Sequence, residues 1–420
     1  MRDHQLFEKT VLPNGITVYT YQDKFPISCM EIQLPVGSGH AIPQNHFLPG
    51  SPHFMEHTQL IRSKRYPEPY VLDRILGMRA GNSNGATHAK ITSHWIDTPA
   101  QEQNFGIDAL IDRVFYPIFT EEDVAVERSV VINERNQNKF YPGKSKASQY
   151  YYQEFIDDVF YPLEQIFGRD EDLMASTSER LTEMHRTVSR NSKVVALAVG
   201  DDDFTYFKDQ LSALPTVKQD FEQSILPTVW KQKEYHTVFF ESVTQPRLEV
   251  AWIHPRLAYP EFRAVCFLLI LLINTTQGPL YQEFREEKGW AYSLDSACMQ
   301  REHNTVLSLT FPVNSQAQVE YIRDCLPERI QTAAKNQKLV EQEIVRQLAN
   351  QVYSYQTAGS IISTASAELI SLDRIHTEAE LEEAVRAMAN PSWRKYIVDT
   401  YFRAQDMGSV CFLPERRKKE

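Results

Sequence analysis

From Leu211 to Glu234 the chain runs polar, carries Pro215 and Pro227 and shows no sustained apolar period, and the order of elements before this stretch recurs after it. On the first side, residues 6–12 and 16–21 read as strands joined across the turn signal Pro13-Asn14-Gly15, and 28–36 adds a third. A helical stretch around His53 follows, then another over 69–78, a strand pair within 81–97, and helices over 101–116, 121–138, 146–159 and 178–190. A β-rich run over 193–199 closes this half. On the second side come a strand (247–253), two helices (260–274 and 280–287), a strand pair within 291–311, long helices (316–334 and 339–357) and a last strand (408–413). The expectation is an α+β chain of two similar domains, each a mainly antiparallel sheet packed against helices, produced by internal duplication. The first domain is expected over 1–217, a linker over 218–232 and the second domain over 233–420. A length of 420 residues agrees, because it exceeds what one hydrophobic core serves.

A formal net charge of −11 disfavours a nucleic-acid partner, whose phosphates must be neutralised. The five cysteines, Cys29, Cys266, Cys298, Cys325 and Cys411, are scattered without a Cys-x-x-Cys pair, so they read as reduced thiols. The polar start Met1-Arg2-Asp3-His4-Gln5 lacks the apolar run of a secretory signal, and a cytoplasmic location is the expectation. The most apolar stretch, 264–273, is about half the ~20 residues that a membrane-spanning helix needs, so a buried helix is expected there and no membrane partner.

The segment His53-Phe54-Met55-Glu56-His57 carries the strongest chemical signal. Histidines four apart lie on one helix face, where two imidazole nitrogens can meet one metal ion. Glu56 shares that side and is placed to act as a general base toward a water. The order is the inverse of the commoner His-Glu-x-x-His zinc motif. Read by itself, the segment also fits a helix with two satisfied histidines and a solvated glutamate. A catalytic zinc further needs a third protein ligand.

With these residues the chain resembles the pitrilysin/insulinase family of inverted-motif zinc peptidases, which includes the mitochondrial processing peptidase. The resemblance extends to Val126-Glu127-Arg128-Ser129-Val130-Val131-Ile132-Asn133-Glu134, and it implies Glu134 as the third zinc ligand and Glu127 behind the ligands, orienting them. Seven residues are about two helical turns, so these carboxylates share a face. A second match, 280–292, contains Arg285 and Tyr292. The resemblance implies that they bind the substrate backbone and stabilise the oxyanion. A third, Ala80-Gly81-Asn82-Ser83-Asn84-Gly85-Ala86-Thr87, resembles the family's strand beside the zinc helix, and implies an edge that holds an extended peptide, with Asn84 in contact. Asn84-Gly85 is equally a plain turn signal. The chain departs from the family in Pro49-Gly50-Ser51-Pro52 ahead of the motif and in the extra histidines His40 and His46.

The expected activity is therefore a zinc-dependent endopeptidase for short or unfolded peptides. One Zn2+ per chain is held by His53, His57 and Glu134; Glu56 is the base; Arg285 and Tyr292 steady the oxyanion. A chain of this length supplies half of the family's four-domain chamber, which implies a homodimer or a heterodimer with a related chain. Two rivals stand beside this reading: a non-catalytic scaffold subunit of a related peptidase complex, and a zinc hydrolase acting on another carbonyl. Gly-x-x-x-x-Gly-Lys and Gly-x-Ser-x-Gly patterns do not occur, so nucleotide and serine hydrolysis lack support.

Overall fold

The computed structural model describes residues 7–41, 47–140, 156–157, 166–215, 225, 229–230, 235–240, 246–273 and 277–414. The chain forms two compact units, the first comprising Met1–Gln137, Val159–Ile225 and Tyr353–Ile375, the second Asn138–Asp158, Leu226–Val352 and His376–Glu420.

In the first unit, strands β1 (Glu8–Val11), β2 (Thr17–Gln22), β3 (Ile27–Leu34), β4 (Asn82–Thr87), β5 (Thr92–Pro99) and β7 (Val195–Gly200) make one six-stranded sheet in the order β1-β2-β7-β3-β5-β4. The β2–β7 pair is parallel and the others are antiparallel. Alternation sorts β3 cleanly. Met30, Ile32 and Leu34 enter the larger core with Phe54 and Met55 of α1 (Ser51–Gln59), Leu72 and Leu76 of α2 (Val71–Met78) and Leu110 of α3 (Gln103–Phe115). The same core takes Val124 and Val131 of α4 (Glu121–Phe140), Leu173 of α5 (Asp170–Ala175), Leu181 of α6 (Ser178–Ser189) and Phe207 of α7 (Thr205–Ser212).

The second unit has a two-stranded pair, β6 (Ile156–Asp157) with β8 (Val229–Trp230), and a five-stranded sheet of β9 (His236–Phe240), β10 (Arg247–Pro255), β11 (Asp295–Gln300), β12 (Asn304–Pro312) and β13 (Gly408–Pro414) in the order β11-β12-β10-β13-β9. Its pairing repeats that of the first unit from β4 to β2, with no counterpart of β1: three antiparallel pairs from the β11 edge, then the parallel β13–β9 pair. The expected duplication is thus visible as topology. The helices are α8 (Tyr259–Ile273), α9 (Pro279–Tyr281) running into a π-helical turn (Gln282–Glu287), α10 (Gln316–Lys335) and α11 (Gln337–Ser354). Three further helices follow in the chain: α12 (Ala358–Leu372), α13 (Glu378–Ala387) and α14 (Pro391–Tyr401).

Helix α12 corrects the expected division at 233–420, because it packs in the first unit. Its Ala358, Ile361, Ile362, Ala365 and Leu369 recur at helical spacing and cover Tyr19, Cys29, Leu197 and Val199 on the sheet face opposite the larger core. Burial of Ile361, Ile362 and Leu369 contributes on the order of 5 kcal/mol, which a sheet with two apolar faces requires from somewhere. Thr357 starts the helix by accepting a hydrogen bond from the Ser360 amide. The helix expected over 146–159 lies outside the described residues except for Ile156 and Asp157, which pair as a strand. Most of the expected linker 218–232 also lies outside them. Among the described residues no helix is long and apolar enough to cross a membrane, and the cysteines among them are free thiols.

Candidate metal centre

The start of α1 is fixed by backbone crowding. Gly50 precedes the helix at φ +80°, where a side chain is strained, and a Cβ there would meet the Gly168 nitrogen at 2.4 Å. Pro52 occupies the first turn, where no intrahelical amide bond is lost. Phe54 and Met55 are fully buried on the core side, which turns His53, Glu56 and His57 together toward α4 and β4. The Phe167 ring meets the His53 imidazole edge-on, with centres 5.1 Å apart.

Glu134 closes the cluster from α4. Its Oε2 lies 3.6 Å from His53 Nε2 and 3.3 Å from His57 Nε2. Seven residues earlier on the same face, Glu127 Oε2 lies 3.1 Å from His57 Nδ1, and Glu127 Oε1 accepts a 2.9 Å bond from the Tyr70 hydroxyl. Glu56 Oε2 is farther from His53 Nε2, at 4.0 Å, and accepts a 3.1 Å bond from Thr87 Oγ1 of β4. The two carboxylates are thereby distinguished: Glu134 touches both imidazoles, whereas Glu56 is tied to the strand. Gly85 leaves room for it, since a Cβ there would sit 2.6 Å from Glu56 Oε1.

Protonation follows from these contacts. Burial, reinforced by His57, holds the His53 imidazole down at about 4, so it is neutral and able to ligate. Burial also pulls His57 down, but hydrogen bonds to Glu127 and Glu134 outweigh it and carry this imidazole to about 10. The His57 bond holds Glu134 below the usual carboxylate range against its partial burial. Burial lifts Glu56 to about 7, with His57 and Thr87 pulling the other way. Glu127 and Glu134, both within 3.3 Å of the His57 ring nitrogens, give the cluster a negative surround that a cation would neutralise. The donors fit zinc as well: in a tetrahedral site with bonds of about 2.05 Å, ligand atoms stand about 3.3 Å apart, close to the 3.3 and 3.6 Å separations here.

Asn84 lies on β4, an outer strand of the six-stranded sheet; its side chain is exposed and its Oδ1 accepts from the Gly85 amide at 2.9 Å. Arg285 and Tyr292 belong to the second unit. There the Arg285 guanidinium lies 4.9 Å from the Tyr281 ring centre and 4.7 Å from that of Tyr292, and Nη1 donates to the Tyr292 carbonyl at 2.8 Å. Arg285 rides on the π-helical turn, an irregularity often retained at functional positions. The extra histidine His40 is structural, its Nδ1 accepting from the Gly37 amide at 3.0 Å, while His46 lies outside the described residues. Sequence reasoning missed Tyr70, Thr87, Gly85 and Phe167 as supports. Tyr70 has a positive φ of 56°, a backbone state that no sequence pattern there announces.

Two family models match the chain: "Insulinase (Peptidase family M16)" over residues 17–155 and "Peptidase M16 inactive domain" over residues 176–352. An uncharacterized zinc protease of Bacillus subtilis is 23% identical over 323 residues, 73% of each chain. Protease 3 of Escherichia coli is 25% identical over 131 residues, which are 31% of this chain and 13% of that protein. Among solved structures, a protease from Helicobacter pylori superposes with a TM-score of 0.81 at 18% identity, covering 97% of this chain and 99% of that one. The periplasmic protease PqqL from Escherichia coli superposes with a TM-score of 0.78 at 13% identity, covering 98% of this chain and 48% of that one.

Proposed function

Since the chain belongs to the insulinase family of peptidases, peptidase family M16, we propose that it is a zinc-dependent endopeptidase acting on short or unfolded peptides. The observation that carries this reading is the convergence of His53 Nε2, His57 Nε2 and Glu134 Oε2 beside the separately held carboxylate of Glu56. A zinc ion held by His53, His57 and Glu134 would supply Lewis acidity toward the scissile carbonyl and the attacking water.

The chain's own groups do the rest. Glu56 takes the proton of the attacking water and passes it to the leaving amine, a task suited to a carboxyl whose burial lifts it to about 7. Thr87 fixes the carboxylate, and Glu127, steadied by Tyr70, fixes the His57 ring through Nδ1. The outer edge of β4 pairs an extended peptide through its backbone, with Asn84 in contact. Arg285 and Tyr292 are assigned to the substrate backbone and the oxyanion, for which a guanidinium and a phenol are suited donors. Two chains of this length assembling into one enzyme is supported by the 48% of the PqqL chain that this one spans.

The test is cleavage of a mixed peptide library by the purified chain and by Glu56→Gln. The wild type is expected to cut and the variant to lose at least about a hundredfold in rate. A zinc-loaded wild type that cuts nothing, or a variant that cuts equally well, removes the peptidase reading and leaves the scaffold subunit.

A further inference from the structure

The two imidazoles of the metal centre are oriented by different means. His57 Nδ1 lies 3.1 Å from Glu127 Oε2, the usual arrangement in which a ligand's second ring nitrogen has a hydrogen-bond partner. His53 Nδ1 is buried and, among the described residues, has no such partner. An unmet buried polar atom costs stability, and here it leaves the rotation of the His53 ring to packing. Two rings meet it: the His57 imidazole, with centres 4.5 Å apart, and Phe167, perpendicular to it with centres 5.1 Å apart. His57 belongs to the same ligand set, so Phe167 is the support that comes from outside it.

Phe167 is itself held from two sides. Gly168, the next residue, has φ +71° and interlocks with the chain ahead of α1: a Cβ on Gly168 would stand 2.6 Å from the Pro49 carbonyl oxygen, and one on Gly50 would stand 2.6 Å from the Phe167 carbonyl carbon. From α4, the buried guanidinium of Arg135 donates through Nη1 to the Gly168 carbonyl at 2.8 Å and through Nη2 to Asp170 Oδ1. A bond of this kind is stronger out of water than in it.

Helix α4 therefore carries two rows. Glu127 and Glu134 turn toward the imidazoles. Arg128 and Arg135, each one residue on and about 100° round the helix, turn toward the segment that begins at Phe167. Arg128 grips its far end, donating to the Leu173 carbonyl at 2.9 Å and the Ser176 carbonyl at 3.3 Å. Arg135 grips the end that touches His53.

We infer that Arg135 positions the His53 ligand: by holding Gly168 it keeps the Phe167 ring against the imidazole, in place of the hydrogen bond that Nδ1 lacks. Arg135 and Phe167 are thus positioning residues that act on the metal through His53. The inference rests on the zinc site of the peptidase reading and adds to it the means by which one ligand is aimed.

The experiment measures zinc affinity by chelator competition, beside the denaturant midpoint, for the full chain and five variants. Arg135→Met keeps the length of the side chain without its donors, and Phe167→Leu keeps bulk in the core without the aromatic edge. Each is expected to bind zinc about tenfold more weakly. The double variant should bind little worse than the weaker single one, because both changes act through one ring. Arg135→Lys, which can still donate to the Gly168 carbonyl, should recover most of the affinity. Arg128→Met loosens the far end of the same segment and should stay within about twofold of wild type in zinc affinity, whatever it loses in midpoint. Wild-type affinity in Arg135→Met overturns the inference, and so does a double variant that loses the product of the two single losses. An Arg128→Met variant that weakens zinc as much as Arg135→Met also overturns it, since affinity would then follow the stability of the segment and not the aim of the ring. A wild type that binds zinc but cuts no peptide removes the peptidase reading and leaves these affinities to decide the inference.

Discussion

Replacing Gly85 with alanine isolates the position of Glu56 from the stability of the fold. A Cβ at residue 85 would lie 2.6 Å from Glu56 Oε1, 2.9 Å from its Cγ and 3.0 Å from its Cδ, whereas ordinary contact begins near 3.4 Å. The carboxylate must therefore retreat by about 0.8 Å, the difference between 3.4 and 2.6 Å. The backbone at Gly85 lies in a regular strand and not in the left-handed region, so alanine adds no strain there, and it lowers the entropy of the unfolded chain by an amount worth roughly 0.4–1 kcal/mol. A general base displaced by nearly 1 Å costs about a hundredfold in rate, equivalent to about 2.7 kcal/mol of transition-state stabilisation. The three measurements are zinc per chain, the denaturant midpoint and kcat/KM on the best library peptide. Expected are an unchanged zinc content, a midpoint within about 1 kcal/mol of wild type and a fall of about a hundredfold in kcat/KM. An alanine variant that cleaves within about threefold of wild type would show that the position of Glu56 against Gly85 does not govern turnover.

Tyr70→Phe removes the hydroxyl that Glu127 Oε1 accepts from and should weaken zinc binding about tenfold in chelator competition, while heat stability stays near wild type; unaltered zinc affinity would deny Tyr70 a supporting role. Phe54 is fully buried beside His53, so Phe54→Ala should cost about 3–5 kcal/mol in denaturant unfolding, and a loss below about 1 kcal/mol would mean that α1 is not held by this core. His185 is buried, its Nε2 bonded to the Val114 carbonyl at 2.7 Å, and burial holds it at about 4, below the ordinary 6.5. The unfolded chain therefore takes up this proton first as pH falls, so the stability contribution is complete above pH 6.5 and is lost progressively down to about pH 4. Between pH 7 and 5 this group accounts for about 2 kcal/mol. His185→Gln should flatten the urea midpoint over that interval by this amount, and an equally steep dependence would show that His185 does not carry it.

Much of this arrangement was legible in the residues. Spacings of four and seven put His53 with His57 and Glu127 with Glu134 on common helix faces, and the structure brings both pairs to one cluster. The supports were not legible, because they depend on contacts distant in sequence. Thr87 reaches Glu56 across 31 residues and Tyr70 reaches Glu127 across 57. Gly85 reads as half of an Asn-Gly turn signal, yet it stands inside β4, where closeness to Glu56 determines what fits. The position of α12 was hidden for a related reason. Its apolar spacing at 358, 361, 362, 365 and 369 is helical, but periodicity reports that a face is buried and not which sheet buries it. A fragment ending at 217 would consequently lack α12 and expose Tyr19, Leu197 and Val199.

The metal centre is tested most directly by the zinc content of the purified chain, measured by native mass spectrometry for wild type, Glu56→Gln and His57→Ala. One zinc is expected in the wild type and in Glu56→Gln, because Glu56 stands apart from the imidazole and Glu134 donors, and less than about a tenth of a zinc in His57→Ala. Zinc that remains in His57→Ala at the wild-type level, or a wild type that takes up none, would contradict this expectation.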